Sequence, residues 1–422
     1  MFQVADPSEA RGSTITAREI LDGARKRYKI ALRNEPVVQS EIALTLSEVY
    51  GALGLFRESD EIAGSIPAAG LKDLQVALRQ RIVRGESLFR RGEFAAAAAE
   101  FRDALSAGGK VEEGNPALIS RAYSGLGQAS SALDQFAQSD DALRKALAID
   151  RSRGDAGRRD VARDLEGLGL NRFYDGDLAP AQQTIEQANA IRLSLEGPDS
   201  PSVSDNIGTL ASIAYLQGRS ADAEKLFRSR LAIDERVLGK DHPDVAITLN
   251  NIARILVEKR AFDEAAPLLQ RAIAITRHQR GDAYDDLAFM QGSMAIVERE
   301  QGHADRAEAL LREAIALGRE QHHRSLAPNM IELAMLLCDE RRFDEAKQML
   351  DNTGPILASD YPEDPWRPAW LSLARARCLA GQGRGADARK LAATALPQIV
   401  KRWPVGTYYR DQADRIFNLA RR

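Results

Sequence analysis

Apolar and small residues recur along this chain with two superimposed periods. Within short segments they fall at i, i+3, i+4 and i+7. Leu249, Ile252, Ala253 and Leu256 are one such set, and they mark one face of a helix. Over longer distances Ala181, Ala223, Ala265 and Ala307 recur every 42 residues. Each is followed four positions on by a large apolar residue (Ile185, Phe227, Leu269, Leu311), and three further on by Ala188, Arg230, Ala272 and Ala314. A fixed period of this size marks a stack of like units. Alanine at the repeated position lets two helix backbones approach closely, where a larger side chain would overpack by roughly 1–3 kcal/mol.

A break residue stands five positions before each of these alanines. Followed along the chain, the breaks are Gly12, Gly54, Gly92, Asp134, Gly176, Gly218, Arg260, Gly302, Arg341 and Gly383. Around each, the sequence predicts helix, short turn, helix. Between units comes a second turn, as in Leu238-Gly239-Lys240-Asp241-His242-Pro243-Asp244-Val245. Glycine ends one helix there and proline opens the next.

The 42-residue spacing, together with Gly239–Ala246 and the following Leu249-Asn250-Asn251-Ile252-Ala253, resembles the tetratricopeptide repeats of kinesin light chains and their bacterial relatives. The resemblance runs from about residue 12 to about 400. It implies an all-α fold, a right-handed superhelical α-solenoid of about nine helix-turn-helix repeats. The expected boundaries are an N-terminal linker at 1–14, a lead helix at 15–33, and repeats one to eight at 36–350. A proline-rich loop at 351–368, a ninth repeat at 369–402 and a capping helix at 403–422 complete the chain. The loop is expected because Pro355, Pro362, Pro365 and Pro368 crowd one short stretch. The capping helix is expected because an open-ended stack needs a polar outer face.

Gly12 is in phase with the later breaks, but Asp6-Pro7 occupies the place of the helix that should precede it. The chain is therefore expected to have been cut from a longer protein, or else to begin with a lone helix. The opening, Phe2-Gln3-Val4-Ala5-Asp6-Pro7-Ser8-Glu9-Ala10-Arg11-Gly12 and then Thr14 to Asp22, resembles the start of the repeat region in a class of bacterial serine/threonine protein kinases. That resemblance implies a sensory or scaffolding region attached to a kinase domain. The chain itself carries no Val-Ala-Ile-Lys, no His-Arg-Asp and no Asp-Phe-Gly.

A net charge of −3 argues against nucleic-acid binding, which needs a strongly positive footprint. No apolar run approaches the ~18–20 residues of a membrane span, so no membrane insertion by this chain is expected. As a bare chain it reads as cytoplasmic; a spanning helix upstream would make it extracytoplasmic. Cys338 and Cys378, about one repeat apart, read as reduced packing residues, with an inter-repeat disulfide only in an oxidising compartment.

The first helices of such repeats form the concave wall. The positions expected to face it are Arg121, Ser124 and Gln128; Arg163, Glu166 and Tyr174; Asp205, Thr209 and Tyr215; Asn250, Asn251, Arg254 and Glu258; and Phe289, Ser293 and Arg299. In kinesin light chains, asparagines on this wall grip an extended peptide through amides that both donate and accept. Here only Asn250 and Asn251 match; Gly125, Gly167, Thr209, Ser293 and Glu332 stand in the equivalent places. Phe173, Tyr174 and Tyr215 read either as an aromatic anchor patch or as inter-repeat packing. Trp366 and Trp370 read as loop anchors or as a partner site.

His322-His323 is a poor metal pair, since adjacent helical residues diverge and no third ligand is near. Gly381-Gln382-Gly383-Arg384-Gly385 follows no strand and is a turn, not a phosphate loop. No catalytic residue, metal or cofactor is expected. The chain is predicted to be a non-catalytic scaffold for a protein or peptide partner. Self-association into a homodimer is the alternative reading.

Overall fold

The computed structural model describes residues 17–108, 115–280, 285–321, 325–361 and 365–419. The expected linker at 1–14, the break at Gly12 and the His322-His323 pair lie outside these. Among the described residues the chain is helix and turn without a strand. It divides into two compact units, one ending at Glu196 and one beginning at Gly197.

The first unit runs α1 (Ala17–Ala31), α2 (Pro36–Ala52), α3 (Phe56–Gly64), α4 (Leu74–Arg90), α5 (Phe94–Gly108), α6 (Pro116–Ala132), α7 (Phe136–Ser152), α8 (Arg158–Tyr174) and α9 (Leu178–Glu196). The second runs α10 (Pro201–Leu216), α11 (Ser220–Val237), α12 (Pro243–Glu258), α13 (Phe262–Arg280), α14 (Asp285–Glu300), α15 (Ala304–Gln321), α16 (Leu326–Asp339), α17 (Phe343–Asp360), α18 (Trp366–Gly381), α19 (Gly385–Arg402) and α20 (Tyr408–Leu419). Helices pair in chain order, α2 with α3 through α18 with α19, and each pair packs on the next within its unit.

The turn inside each pair has one repeated geometry. Every break residue from Gly54 to Gly383 has positive φ, between 57° at Asp134 and 86° at Gly302. The amide after the break donates back five residues, as Arg219 does to Ala214 at 2.9 Å and Ala261 to Leu256 at 2.8 Å. This is the helix C-cap in which the left-handed position favours glycine. Asp134, Arg260 and Arg341 adopt it as well.

Small residues on first helices face large ones on second helices. Phe101 of α5 lies between Gly85 of α4 and Gly125 of α6; a methyl group on Gly85 would come within 2.8 Å of its ring. Leu143 of α7 is received by Gly127 and Gly167, where a methyl would approach to 2.6 and 2.8 Å. Gly125 and Gly167, aligned by sequence with the asparagines of a binding wall, thus serve packing. Ala181, Ala223, Ala265 and Ala307 are fully buried.

Three expectations are corrected. Residues 351–360 are helical, not loop: α17 continues through Pro355 to Asp360. An interior proline costs about 3 kcal/mol, and burial of Leu350, Thr353 and Leu357 around it offsets that cost. Pro368 is the third residue of α18, where its missing N–H would lack a helical partner anyway. The cysteines are also placed differently. Cys338 of α16 and Cys378 of α18 are buried as expected but joined as a disulfide, their Cα atoms 5.0 Å apart. Their separation of 40 residues, close to one repeat, brings equivalent points of successive first helices together. Finally, α20 does more than seal the end of the array. It packs on α18 and α19 and also reaches α12. Asp411 pairs with Arg260, and Gln412 donates to Glu300 at 2.9 Å. The hydroxyl of Tyr408 accepts from Arg299 of α14.

Candidate functional site

In the first unit the charged residues predicted on the wall are committed to partners within the protein. Arg121 donates to both carboxylate oxygens of Glu86 at 2.6 Å and to Glu48 at 2.8 Å. Arg163 lies 3.0 Å from Asp160 and 3.6 Å from Asp164, and donates to Ser124 at 3.1 Å. Glu166 accepts two N–H groups of Arg192, each at 2.9 Å, and ties α8 to α9. Asp164 is fully buried, and burial pushes its carboxyl up to about 7, against the hydrogen bond from Ser124. Tyr174 remains exposed at the end of α8, its ring 6.0 Å from that of Phe136. It borders a shallow hollow with Phe89, Gln128 and Leu143. These contacts are those of a face closed by its own ion pairs.

The second unit is different. Tyr215 of α10, Arg254 and Glu258 of α12, and Phe289 and Ser293 of α14 converge on a cavity of about 260 Å³. Its far side is built by Glu332 of α16, Trp366, Arg367 and Trp370 of α18, and Arg402, Trp403 and Tyr409 around the start of α20. Tyr215 donates its hydroxyl proton to Glu258, and the Arg254 guanidinium lies 5.4 Å over the Tyr215 ring. The Trp370 indole N–H donates to Glu332 at 3.1 Å. Arg299 lies 3.0 Å from the other Glu332 oxygen, an ion pair whose N–H is not aimed for a hydrogen bond. Tyr409 packs against Trp403 and Trp370 with ring centroids 4.9 and 5.1 Å apart. Arg402 stacks over both Trp366 and Trp403 at 5.4 and 5.2 Å.

Two features set this cavity apart from the hollows of the first unit. Arg254 and Arg402 are solvent-accessible and make no salt bridge among the described residues. The Trp403 indole N–H is buried, with the residue only 6% exposed, and has no acceptor. A buried donor left unpaired costs about 1–3 kcal/mol.

The structure thus joins Tyr215, Arg254, Glu258, Phe289 and Ser293 of the predicted wall and separates the rest. Arg163, Glu166 and Tyr174 belong to the first unit. The Thr209 hydroxyl donates to the Asp205 carbonyl of its own helix at 3.2 Å. Asn250 is buried, 8% exposed, and does not reach the cavity, nor does Asn251. Neighbouring helical residues point about 100° apart, so one face of α12 cannot present both amides. Arg299, predicted on the open wall, is buried against Glu332 and Tyr408. Arg402, Trp403 and Tyr409 escaped the sequence reading. The available signal was compositional: all three tryptophans of the chain fall between 366 and 403.

Glu258 is 5% exposed, and burial raises its pKa from 4.5 to about 7, against the Tyr215 hydrogen bond and the nearby Arg254 and Arg402. The folded state therefore binds this proton more tightly than the unfolded chain does. The associated stability is complete below pH 4.5 and is lost as pH rises through about 7. Glu258→Gln should raise unfolding stability by about 2 kcal/mol at pH 8, with the gain vanishing towards pH 4.5. Urea titrations across that range check it; a pH-independent difference would exclude the buried-carboxyl account.

Among the described residues no cluster of three His, Cys, Asp or Glu side chains could hold a metal ion. No described helix is long and apolar enough to cross a membrane.

Residues 203–278 and 120–153 match family models of the tetratricopeptide repeat. No curated protein matches the sequence. The fold is similar to the apo quorum sensor NprR from B. thuringiensis, with a TM-score of 0.59, 15% identity and coverage of 90% of this chain and 99% of that one. It is also similar to a Rap protein complexed with Competence and Sporulation Factor, with a TM-score of 0.53, 14% identity and coverage of 82% and 98%. Kinesin-light-chain-like repeats from Podosopora anserina align over 48% of this chain and 96% of theirs, at 22% identity and a TM-score of 0.40.

Proposed function

We propose, from the premise that the chain is a tetratricopeptide-repeat protein, that it is an interaction scaffold whose second unit binds a segment of a protein partner on the face of its first helices. One observation carries this reading. The arginines predicted on the first unit's wall, Arg121 and Arg163, meet carboxylates, while the second unit leaves Arg254 and Arg402 without a salt bridge among half-buried and buried aromatic rings. Arginine and aromatic side chains are the residues that most often dominate binding energy. The Rap protein of similar fold was solved with a second molecule bound, which supports a receiving role for such an array. The kinase-like opening at residues 2–22 supports a place in the regulatory region of a bacterial serine/threonine kinase.

The test is to select peptides from a displayed library on the full chain and measure their affinities for two variants. Arg254→Gln combined with Trp366→Ala should weaken the selected peptides at least tenfold, whereas Tyr174→Ser in the first unit should leave them unchanged. Peptides indifferent to the first variant and sensitive to the second would move the binding face to the first unit and overturn the assignment.

A further inference from the structure

The cavity in the second unit is small. At about 260 Å³ it lies just below the ~300–1,000 Å³ of pockets for drug-sized ligands, which suits one ring with a short acidic tail rather than a run of residues. Its walls are aromatic, with six rings contributed by Tyr215, Phe289, Trp366, Trp370, Trp403 and Tyr409. Its accessible charges are positive. Arg254 and Arg402 enter it without a salt bridge. Glu332 is occupied by Arg299 and by the Trp370 N–H, and Glu258 by the Tyr215 hydroxyl.

These features describe a complement. Ring faces favour a flat apolar group in offset or edge contact. Two guanidinium groups held over rings favour a planar oxyanion, which arginine recognises better than lysine does. We infer that this cavity is a site for a small aromatic carboxylate, its ring between the tryptophans and its carboxylate between Arg254 and Arg402. The site is separate in kind from partner binding on the same face: it takes a free small molecule and needs no peptide backbone.

The site also contains its own reporter, because the only tryptophans in the chain are Trp366, Trp370 and Trp403, and all three line it. Phenylacetate, titrated into the full chain, should change tryptophan emission saturably. The neutral isostere phenylacetamide should act at least tenfold more weakly. Arg402→Gln should weaken phenylacetate at least tenfold with only a small drop in the thermal midpoint, since Arg402 is exposed, makes no ion pair and gives up only its stacking on Trp366 and Trp403. Trp403→Phe replaces one indole wall with a smaller ring; it should weaken phenylacetate several-fold while Trp366 and Trp370 still report. Equal response to the two probes, no response to either, or an unchanged affinity in Arg402→Gln would each overturn the inference. Peptides selected on the same chain separate it from the scaffold reading. If they bind as proposed while phenylacetate does not, the carboxylate site falls and the scaffold stands. If phenylacetate binds and no peptide is selected, the reverse holds.

Discussion

Phe101→Ala should cost the first unit about 3–5 kcal/mol, the range for emptying a well-packed aromatic site. Phe101 is 1% exposed and its ring fills a slot that exists only because residues 85 and 125 lack side chains. The backbones of α4 and α6 cannot simply collapse onto the void, since each is held in its own helical pair. The converse change, Gly125→Ala, inserts a methyl group against the ring and should cost about 1–3 kcal/mol by overpacking. The two sites touch, so their effects should not add. Phe101→Leu with Gly125→Ala should cost less than the sum of the single changes. The units can be followed separately, because tryptophan occurs only in the second. Urea unfolding by far-ultraviolet circular dichroism should show an earlier first-unit transition in Phe101→Ala, with the tryptophan transition unmoved. A loss below about 1 kcal/mol would mean that the slot relaxes and that the glycines are not there for the ring.

Arg299→Met should be comparably damaging to the second unit, at about 3–5 kcal/mol, because it leaves a buried charge without its counter-ion. Arg299 and Glu332 have side chains 9% and 8% exposed and stand 3.0 Å apart. The Trp370 N–H would still meet Glu332, but one neutral donor does not replace a guanidinium. Tyr408 would lose its partner in the same step, so the start of α20 should loosen. The decisive comparison is rescue. Arg299→Met with Glu332→Gln should recover most of the loss, because the cost lies in the stranded carboxylate rather than in a missing attraction. Tryptophan emission, which reports on Trp370 beside Glu332, is the readout. A double variant no more stable than the single one would show that Arg299 acts through shape alone.

The repeat, the helix pairs and the turns were legible in the sequence because each is set by neighbours. Alanine every 42 residues records where two helices touch. Glycine at most breaks records a left-handed turn that other residues adopt at a cost, and the positive φ at Arg260 and Arg341 shows that the period locates the turn even without glycine. Pro355 was misread for the complementary reason: local propensity marked a break, and burial of Leu350 and Leu357 overrode it.

Part of the site was equally legible. Tyr215, Arg254 and Glu258 follow from helical phase on α10 and α12, and they do meet. Asn250 of α12 and the Arg299 side chain of α14 were read onto the same wall yet are buried, because phase names a face without saying what covers it. What covers this one is α20, whose Asp411 reaches Arg260 across 151 residues and whose Tyr408 reaches Arg299 across 109.

The sequence by itself therefore determined the units and their turns, since hydrophobic phase and backbone propensity act over a few residues. Only the tertiary structure decided that the C-terminal helix folds back over the second unit and brings Arg402, Trp403 and Tyr409 to Arg254. Contacts so far apart in sequence leave no period to read; they arise from which surfaces remain uncovered once every pair has stacked.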